Sequence, residues 1–319
     1  MANLNSLFLT FNENITLSAT KEENLKTGRN ALREKIKKNF QENGRNTPKF
    51  CWQGSFAMRT IINPLGDNEY DIDDGVYLQG YSDKDKSEWP ATTTVHNWIL
   101  NAVDGHTDTP PVNKNTCVRV IYANNYHIDL PAYIIKDDVA YLAHKKDGWV
   151  ESDPKAFTDW FVGKVQDNGE QLRRLVKYMK AWKDYKDVDL KGIAITILVS
   201  NNFYSYDNRD DKSLLGTVTN IIDTLEEKFE CIKPVKPNED LFKDFSESKK
   251  ENIFNALKRL KDSLDEAINE EDEEKASEVL REQFGDRFPK GKPKKENEMS
   301  SPFIKTKSPG VINNDGHSA

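Results

Sequence analysis

Hydrophobic positions recur with different periods in the two halves of this chain, and the periods predict different elements. Residues 21–40 carry apolar side chains at helical spacing among lysines and arginines, so we expect one amphipathic helix there. The apolar positions are Leu25, Leu32, Ile36 and Phe40. Asn43-Gly44 and Pro48 follow the helix and are typical of residues that end one.

Short apolar or alternating runs after this helix predict a sheet. The runs cover residues 49–53, 70–78, 116–122, 126–135 and 139–143. Turn-forming residues separate them, such as Asn63-Pro64 and Asp137-Asp138. The first half of the chain is therefore expected to be α/β, with a small mixed sheet that is largely antiparallel.

The second half has mainly helical periodicity. The apolar stripes and runs cover residues 172–182, 192–199, 218–229, 253–268 and 276–284. After Pro289 the composition shifts to Lys, Pro, Ser, Asn and Gly, which is typical of a flexible tail. We predict an α+β fold in three parts: residues 1–150 with the sheet, a helical lobe in 151–288, and the tail 289–319.

Composition excludes several classes of protein. The 319 residues are 36% hydrophobic and 31% charged, and no apolar run approaches the roughly 20 residues that span a bilayer. The N-terminus lacks the basic and apolar pattern of a signal peptide. The three cysteines, at positions 51, 117 and 231, fit neither a disulfide framework nor a zinc site. We expect a cytoplasmic protein with no membrane partner. Its net charge of −7 argues against strong binding of duplex nucleic acid.

Gly54-Ser55 follows the first predicted strand and is a candidate phosphate-binding turn. Glycine lets the backbone approach a ligand closely, and serine adds a hydroxyl beside a backbone N–H. Most Gly-Ser pairs are ordinary turns, so this pair indicates a site only in combination with other groups.

Two carboxylates lie on the predicted strand 70–78. Asp71 and Asp73 are two residues apart, so their side chains face the same side of a sheet, whereas Asp74 faces the other side. Neighbouring carboxylates disfavour each other's ionisation. A divalent cation such as Mg²⁺, which binds carboxylate and phosphate oxygens, removes that repulsion. The alternative is an exposed acidic strand end.

A third carboxylate, Asp129, interrupts an otherwise apolar predicted strand. A buried carboxylate is costly unless it is paired or bound to a metal. His127 lies two residues earlier and shares its face of the strand. We expect His127 to be a surface or hydrogen-bonded histidine rather than a ligand.

Taken together, these stretches resemble the polymerase-β-like nucleotidyltransferases. Their local sequence resembles more closely the bacterial relatives of cyclic GMP-AMP synthase, the cGAS/DncV-like nucleotidyltransferases of CBASS anti-phage signalling. The matching stretches are residues 54–60 (GSFAMRT), 70–78 (YDIDDGVYL) and 127–133 (HIDLPAY), with further similarity at 152–154, 160–161 and 173–184. The resemblance covers residues 20–260, without a zinc-binding insertion like that of the animal enzyme.

The resemblance implies a nucleotidyltransferase core in residues 1–150 and a helical lobe that closes a nucleotide cleft. It implies that nucleoside triphosphates (NTPs) are joined into a cyclic di- or trinucleotide second messenger with two Mg²⁺ ions, or with Mn²⁺. Asp71 and Asp73 would bridge the ions that hold the triphosphate. Asp129 would hold the ion that activates the attacking ribose hydroxyl, and could take its proton. Gly54 and Ser55 would bind the donor's phosphates.

Two further nucleotide-binding residues are expected in the second half. Arg173, Lys177 and Lys180 lie at i, i+4 and i+7, on one face of a predicted helix. This face could be an ordinary solvated basic surface, but the resemblance makes Lys180 a candidate triphosphate ligand. It also makes Ser200 a candidate phosphate contact.

Three other readings stay open at this stage. The carboxylates are common to cyclic and linear oligonucleotide synthases and to nucleotidyltransferases that modify tRNA or protein. The chain could also be a nucleotide-binding protein without activity.

In some operons of the resembling family, a ubiquitin-activating-like enzyme conjugates the synthase through its flexible C-terminus. The tail ending in Ala319 is compatible with such a partner.

Overall fold

The computed structural model describes residues 3–66 and 68–293. Within these ranges eight strands form one mixed sheet. The strands are β1 (Lys49–Gln53), β2 (Tyr70–Tyr77), β3 (Val112–Asn113), β4 (Val118–Tyr122), β5 (Tyr126–Leu130), β6 (Ala132–Lys136), β7 (Val139–His144) and β8 (Gly148–Glu151). All of the predicted strand runs correspond to strands, and the mixed sheet is confirmed.

Helices lie before, within and after the sheet. The α-helices are α1 (Asn5–Ile15), α2 (Ala19–Glu42), α3 (Gly54–Ala57), α4 (Thr92–Val103), α5 (Pro154–Asn168), α6 (Glu170–Tyr185), α7 (Gly192–Asn201), α8 (Asp210–Glu227), α9 (Glu247–Asn269) and α10 (Glu273–Phe284). The short 3₁₀ turns are Lys86–Glu88 and Gly285–Arg287. The predicted α+β class, with a mainly helical second half, is confirmed.

Strand β2 lies at the centre of the sheet. It pairs antiparallel with β1 and parallel with both β5 and β6. Tyr70 lies opposite Tyr126 and Val76 opposite Ala132, so the register is the same along both pairings. The predicted strand 126–135 is divided into β5 and β6 at Pro131, because proline has no N–H to donate to a neighbouring strand. Its carbonyl still accepts from the Val76 N–H at 2.8 Å.

One apolar cluster joins the sheet to helices α2 and α4. The four apolar positions predicted for the first helix are all at most 1% exposed and belong to this cluster. On the same helix, Arg33 donates to Asp74 at 2.7 Å. Asp74 thus points away from Asp71 and Asp73, as strand alternation predicts.

A second apolar cluster fills the helical lobe and includes the N-terminal helix α1, which the sequence analysis did not identify. Phe8 and Phe11 of α1 pack on Tyr178 of α6, with ring centroids 5.3 and 5.5 Å apart. The Tyr178 hydroxyl donates to the Phe8 carbonyl at 2.8 Å. Residues before the sheet therefore complete the core of the lobe that follows it.

A membrane-crossing helix would need a long apolar span, and none of the helices within residues 3–66 and 68–293 has one. The predicted tail 289–319 lies outside the described residues from position 294 onwards.

Candidate active site

Four polar side chains project from one face of the sheet where β2 and β5 run in parallel. Asp71 lies opposite His127, and Asp73 lies opposite Asp129. Because side chains two residues apart share a face, the two pairs form adjacent rows on the same surface. The two predicted sequence motifs are therefore brought together by this parallel pairing.

The Asp129 carboxylate has a cationic neighbour on the next strand. Arg119 of β4 lies directly opposite Asp129 and donates to both of its oxygens at 2.7 Å. Arg119 was not predicted from the sequence. The available signal was a single charged residue between Val118 and Val120, in a strand whose other positions are apolar or aromatic.

Among these carboxylates, Asp73 has a strongly raised pKa. Burial raises its pKa to about 7, with further contributions from the negative charges of Asp71 and Asp129. The positive charge of Arg119 opposes this shift only in part. Three neighbouring carboxylates with one guanidinium, which is bonded to Asp129, retain an uncompensated negative charge that a divalent cation would neutralise.

His127 is buried beside these carboxylates, with 6% of its surface exposed. Its Nδ1 lies 2.9 Å from an Oε of Glu69. Its Nε2 lies 3.8 Å from an Oδ of Asp71 and has no hydrogen-bond partner among the described residues. Ligand atoms of Asp71, His127 and Asp129 all lie within 4.8 Å of one another, a spacing that could hold a metal ion. The expected hydrogen bond is present, to Glu69, but His127 is buried and only one of its two ring nitrogens is bonded.

The turn after β1 brings the backbone against Asp73. Gly54 has φ of +63°, and a Cβ at this position would lie 2.5 Å from an Asp73 oxygen. Both the left-handed conformation and the close approach therefore require glycine. Gly54 and Ser55 line the same cleft as the carboxylates.

The cleft has a volume of about 780 Å³ and lies between the sheet and the helical lobe. Its size is within the range of small-molecule sites, about 300–1,000 Å³. The predicted site residues that line it are Asp71, Asp73, Asp129, Gly54, Ser55 and Lys180. Side chains from both halves of the chain therefore meet around one space.

Among the predicted site residues that line the cleft, Lys180 of α6 is the one with a positive charge. Its ammonium donates to the Thr60 hydroxyl at 3.0 Å and to the Thr60 carbonyl at 3.2 Å. Burial lowers its pKa to about 8, and the charge of Asp71 acts in the opposite direction. Lys177, on the same helix face, instead donates to Thr16 at 2.9 Å outside the cleft.

Ser200 is the one predicted site residue that does not reach the cleft lining. It lies near the end of α7, 4% exposed, and its hydroxyl has no partner among the described residues. Thr196, one turn earlier, does line the cleft, and its hydroxyl donates to the Gly192 carbonyl at 3.0 Å. The difference arises because α7 presents its N-terminal end to the cleft.

Lys233 also lines the cleft and was not predicted from the sequence. It precedes the turn between α8 and α9, and its ammonium lies 3.4 Å from Glu239. No local motif marks this lysine, because the chain folds back to the cleft only through the packing of the lobe.

Comparison with known families follows the same division into sheet and lobe. Residues 48–133 match the family model described as the nucleotidyltransferase domain of cyclic GMP-AMP synthase, DncV-like. Residues 169–295 match the model described as the C-terminal domain of cyclic GMP-AMP synthase. The chain therefore belongs to the DncV-like family of nucleotidyltransferases.

Individual relatives are consistent with this assignment. A cyclic GMP-AMP synthase of Escherichia albertii is 30% identical over 210 residues, which are 61% of this chain and 45% of that protein. A cyclic GMP-AMP synthase of Vibrio cholerae is 28% identical over 197 residues, 43% of each chain. The chain thus spans about half the length of the curated relatives it matches.

Solved structures show the same fold. The crystal structure of the Vibrio cholerae DncV cyclic AMP-GMP synthase superposes with a TM-score of 0.75 at 20% identity, covering 90% of this chain and 97% of that one. Escherichia coli DncV in its 3′-deoxy GTP bound form gives a TM-score of 0.70 at 25% identity, covering 86% and 93%.

Proposed function

We propose that this protein is a metal-dependent nucleotidyltransferase that joins NTPs into a cyclic di- or trinucleotide second messenger for anti-phage defence. The observation that carries the proposal is the convergence of Asp71, Asp73 and Asp129 with Lys180 in one cleft of nucleotide size. Relatives named cyclic GMP-AMP synthase support a cyclic product. Their DncV structures include complexes with GTP and with a linear intermediate.

The side chains fit the divalent ions that such chemistry needs. Three carboxylates converge, the pKa of Asp73 is raised, and one buried imidazole nitrogen has no partner among residues 3–66 and 68–293. Asp71, Asp73 and Asp129 would hold two Mg²⁺ ions, or Mn²⁺ in their place. When bound, the pair of ions would neutralise charge on the attacking and leaving oxygens of the transferred group.

The protein's own groups would bind and orient the reactants. Gly54 and Ser55 would contact the donor's phosphates through the backbone and hydroxyl, and Lys180 would add a positive charge from the opposite wall. Asp129, held by Arg119 through two hydrogen bonds, would face the acceptor's ribose hydroxyl and accept its proton. Phosphoryl transfer depends mainly on such positioning and charge neutralisation.

The test is product formation from mixed radiolabelled NTPs with Mg²⁺ or Mn²⁺, followed by phosphatase treatment and mass spectrometry. A cyclic product has no terminal phosphate and resists phosphatase. Asp129→Asn should abolish the product while the fold is retained, and the exposed Asp223→Asn serves as the matched control. A phosphatase-sensitive product would favour the linear synthase, and no product from the wild type would favour the inactive nucleotide-binding protein.

Cellular context is a separate part of the proposal. Three widely spaced free cysteines support a reducing cytoplasm. Conjugation by a ubiquitin-activating-like enzyme would act on the tail, whose end lies outside the described residues. Deleting the last residues should remove conjugates from cells while the purified synthase stays active, and unchanged conjugates would reject this partner.

A further inference from the structure

We propose that His127 is an additional metal ligand, acting with the cleft residues Asp71 and Asp129, and that its imidazole makes this position favour Mn²⁺ over Mg²⁺. The inference rests on the proposed metal-dependent function and adds a nitrogen ligand to its carboxylates. It is carried by four features of His127: its position, its unpartnered nitrogen, the distances around it, and its contact with Glu69.

The parallel pairing of β2 and β5 fixes the position of His127. The register places it opposite Asp71 and two residues before Asp129, on the same face as both. On its other side, β4 presents the apolar Ile121. The imidazole therefore has carboxylates on one side and no polar side chain opposite it on the neighbouring strand.

The unpartnered atom is Nε2. It is fully buried and has no hydrogen-bond partner within residues 3–66 and 68–293, although a buried polar atom without a partner is unfavourable. Its distance of 3.8 Å to the Asp71 oxygen is too long for a hydrogen bond. Two ligand atoms that each lie about 2.1 Å from one ion can be up to about 4.2 Å apart. The observed separation therefore fits an ion between the two atoms.

Glu69 determines which nitrogen is free to bind. Its carboxylate can only accept, so the contact of 2.9 Å requires that Nδ1 carries the proton and donates it. A neutral imidazole then keeps its lone pair on Nε2, the atom that faces Asp71. A histidine that donates one ring N–H to a carboxylate and binds metal through the other nitrogen is the usual arrangement in metal sites.

The nitrogen ligand predicts a metal preference. Mg²⁺ binds almost entirely to oxygen, whereas the divalent transition metals accept imidazole readily. His127 should therefore contribute to Mn²⁺ binding and contribute little to Mg²⁺ binding. Glu69 is a positioning residue in this scheme, because it orients the ring without reaching the ion.

The direct test is pulsed EPR on the full-length, nucleotide-free protein loaded with Mn²⁺. Inorganic tripolyphosphate is added to complete the site without introducing nitrogen. Electron spin-echo modulation from a directly bound ¹⁴N should be present in the wild type and should change on labelling with ¹⁵N-histidine. This measurement requires no variant, so it does not depend on whether a variant folds.

Variants then assign the signal to one residue. His127→Gln should remove the nitrogen modulation and weaken Mn²⁺ binding about tenfold or more, while Mg²⁺ binding, measured by calorimetry, should change by less than about threefold. His144→Gln is the matched control, because His144 also contacts a carboxylate, Asp147, at 3.0 Å but does not belong to the group formed by Asp71, His127 and Asp129. Glu69→Gln should retain the signal, since its amide oxygen can still accept from Nδ1, whereas Glu69→Leu should weaken it.

The outcomes separate this inference from the proposed function. Tight Mn²⁺ binding that depends on Asp71 but shows no nitrogen modulation would overturn the role of His127 and leave the transferase proposal standing. A wild-type protein that binds neither Mn²⁺ nor Mg²⁺ would overturn both. Equal losses of Mn²⁺ and Mg²⁺ affinity in His127→Gln would overturn the metal preference.

Discussion

At the scale of single residues, Asp73 is the most constrained group in the cleft. The Gly54 backbone lies against one of its oxygens, while Asp71 and Asp129 supply like charges nearby. A carboxylate in these surroundings is held in place by sterics and is destabilised as an anion. Both properties suit a metal ligand, and each leads to a separate prediction.

The steric constraint predicts that Gly54→Ala displaces the Asp73 carboxylate and abolishes product formation. Gly44→Ala is the control, because Gly44 also has a positive φ but would place its Cβ with nothing within 4 Å. The control should cost only the backbone strain, about 1 kcal/mol, and should keep full activity. Thermal unfolding and product assays of the two variants measure the difference. Normal activity of Gly54→Ala would mean that the Asp73 position is not critical.

The electrostatic constraint predicts a pH dependence. The folded protein holds a proton on Asp73 with a pKa of about 7, against an ordinary value of 3.8. The metal-free folded state therefore binds more protons than the unfolded state between these values, so Asp73 makes stability fall as pH rises from about 4 to about 7. Asp73→Asn should remove this contribution, and its stability relative to the wild type should increase over the same range.

Metal binding should show the opposite trend. Because the ion displaces the Asp73 proton, affinity should increase as pH approaches about 7 and level off above it. Urea unfolding and calorimetric titration across this range measure the two effects. A flat profile in both would contradict the raised pKa.

At the scale of elements, the spacing of apolar residues along the chain did not predict α1 or its packing on the helical lobe. Phe8 is fully buried among aromatic rings of α6 and of the chain around α10. Leu9, the next residue, is 40% exposed. The helix therefore contributes one apolar face to a core formed by residues far away in sequence.

Phe8→Ala should lower the free energy of unfolding by about 3–5 kcal/mol, because it leaves a cavity in a closely packed aromatic cluster. Leu9→Ala on the same helix should change it by less than about 0.5 kcal/mol, since an exposed side chain loses few contacts. Chemical denaturation of both variants gives the comparison. Similar losses would mean that α1 does not dock on the lobe as described.

At the scale of the whole molecule, the cleft is shared between the two halves of the chain. The sheet supplies the carboxylates, while the helical lobe supplies Lys180, Thr196 and Lys233. Lys180 and Lys177 have pKa values lowered to about 8 by burial, yet only Lys180 lines the cleft. Substituting each lysine in turn therefore distinguishes the general effect of removing a buried charge from a specific effect on nucleotide binding.

Lys180→Gln should raise the KM for NTP by about 10- to 100-fold, the loss expected for a hydrogen bond to a charged group. Lys177→Gln should leave the KM nearly unchanged, although both variants remove a buried ammonium. Steady-state kinetics with mixed NTPs measures the ratio. Equal effects would indicate that Lys180 supports the fold and not the nucleotide.

Much of this architecture follows from local sequence. Apolar spacing predicted α2, α6, α9 and α10 because a helical face repeats with a fixed period. Strand alternation placed Asp71 and Asp73 on one face and Asp74 on the other, because successive side chains along a strand point to opposite faces. The predicted Asp, Gly and Lys residues of the site also reach one cleft.

Which residues become neighbours across elements depends on how the elements pack against one another. The contacts of Arg119 with Asp129 and of His127 with Glu69 depend on strand register and loop path, which a single strand does not encode. Thr196 lines the cleft instead of Ser200 because the packing of α7 presents its first turns to that space. Local sequence determined the direction of each side chain along its own element, and packing determined what that side chain meets.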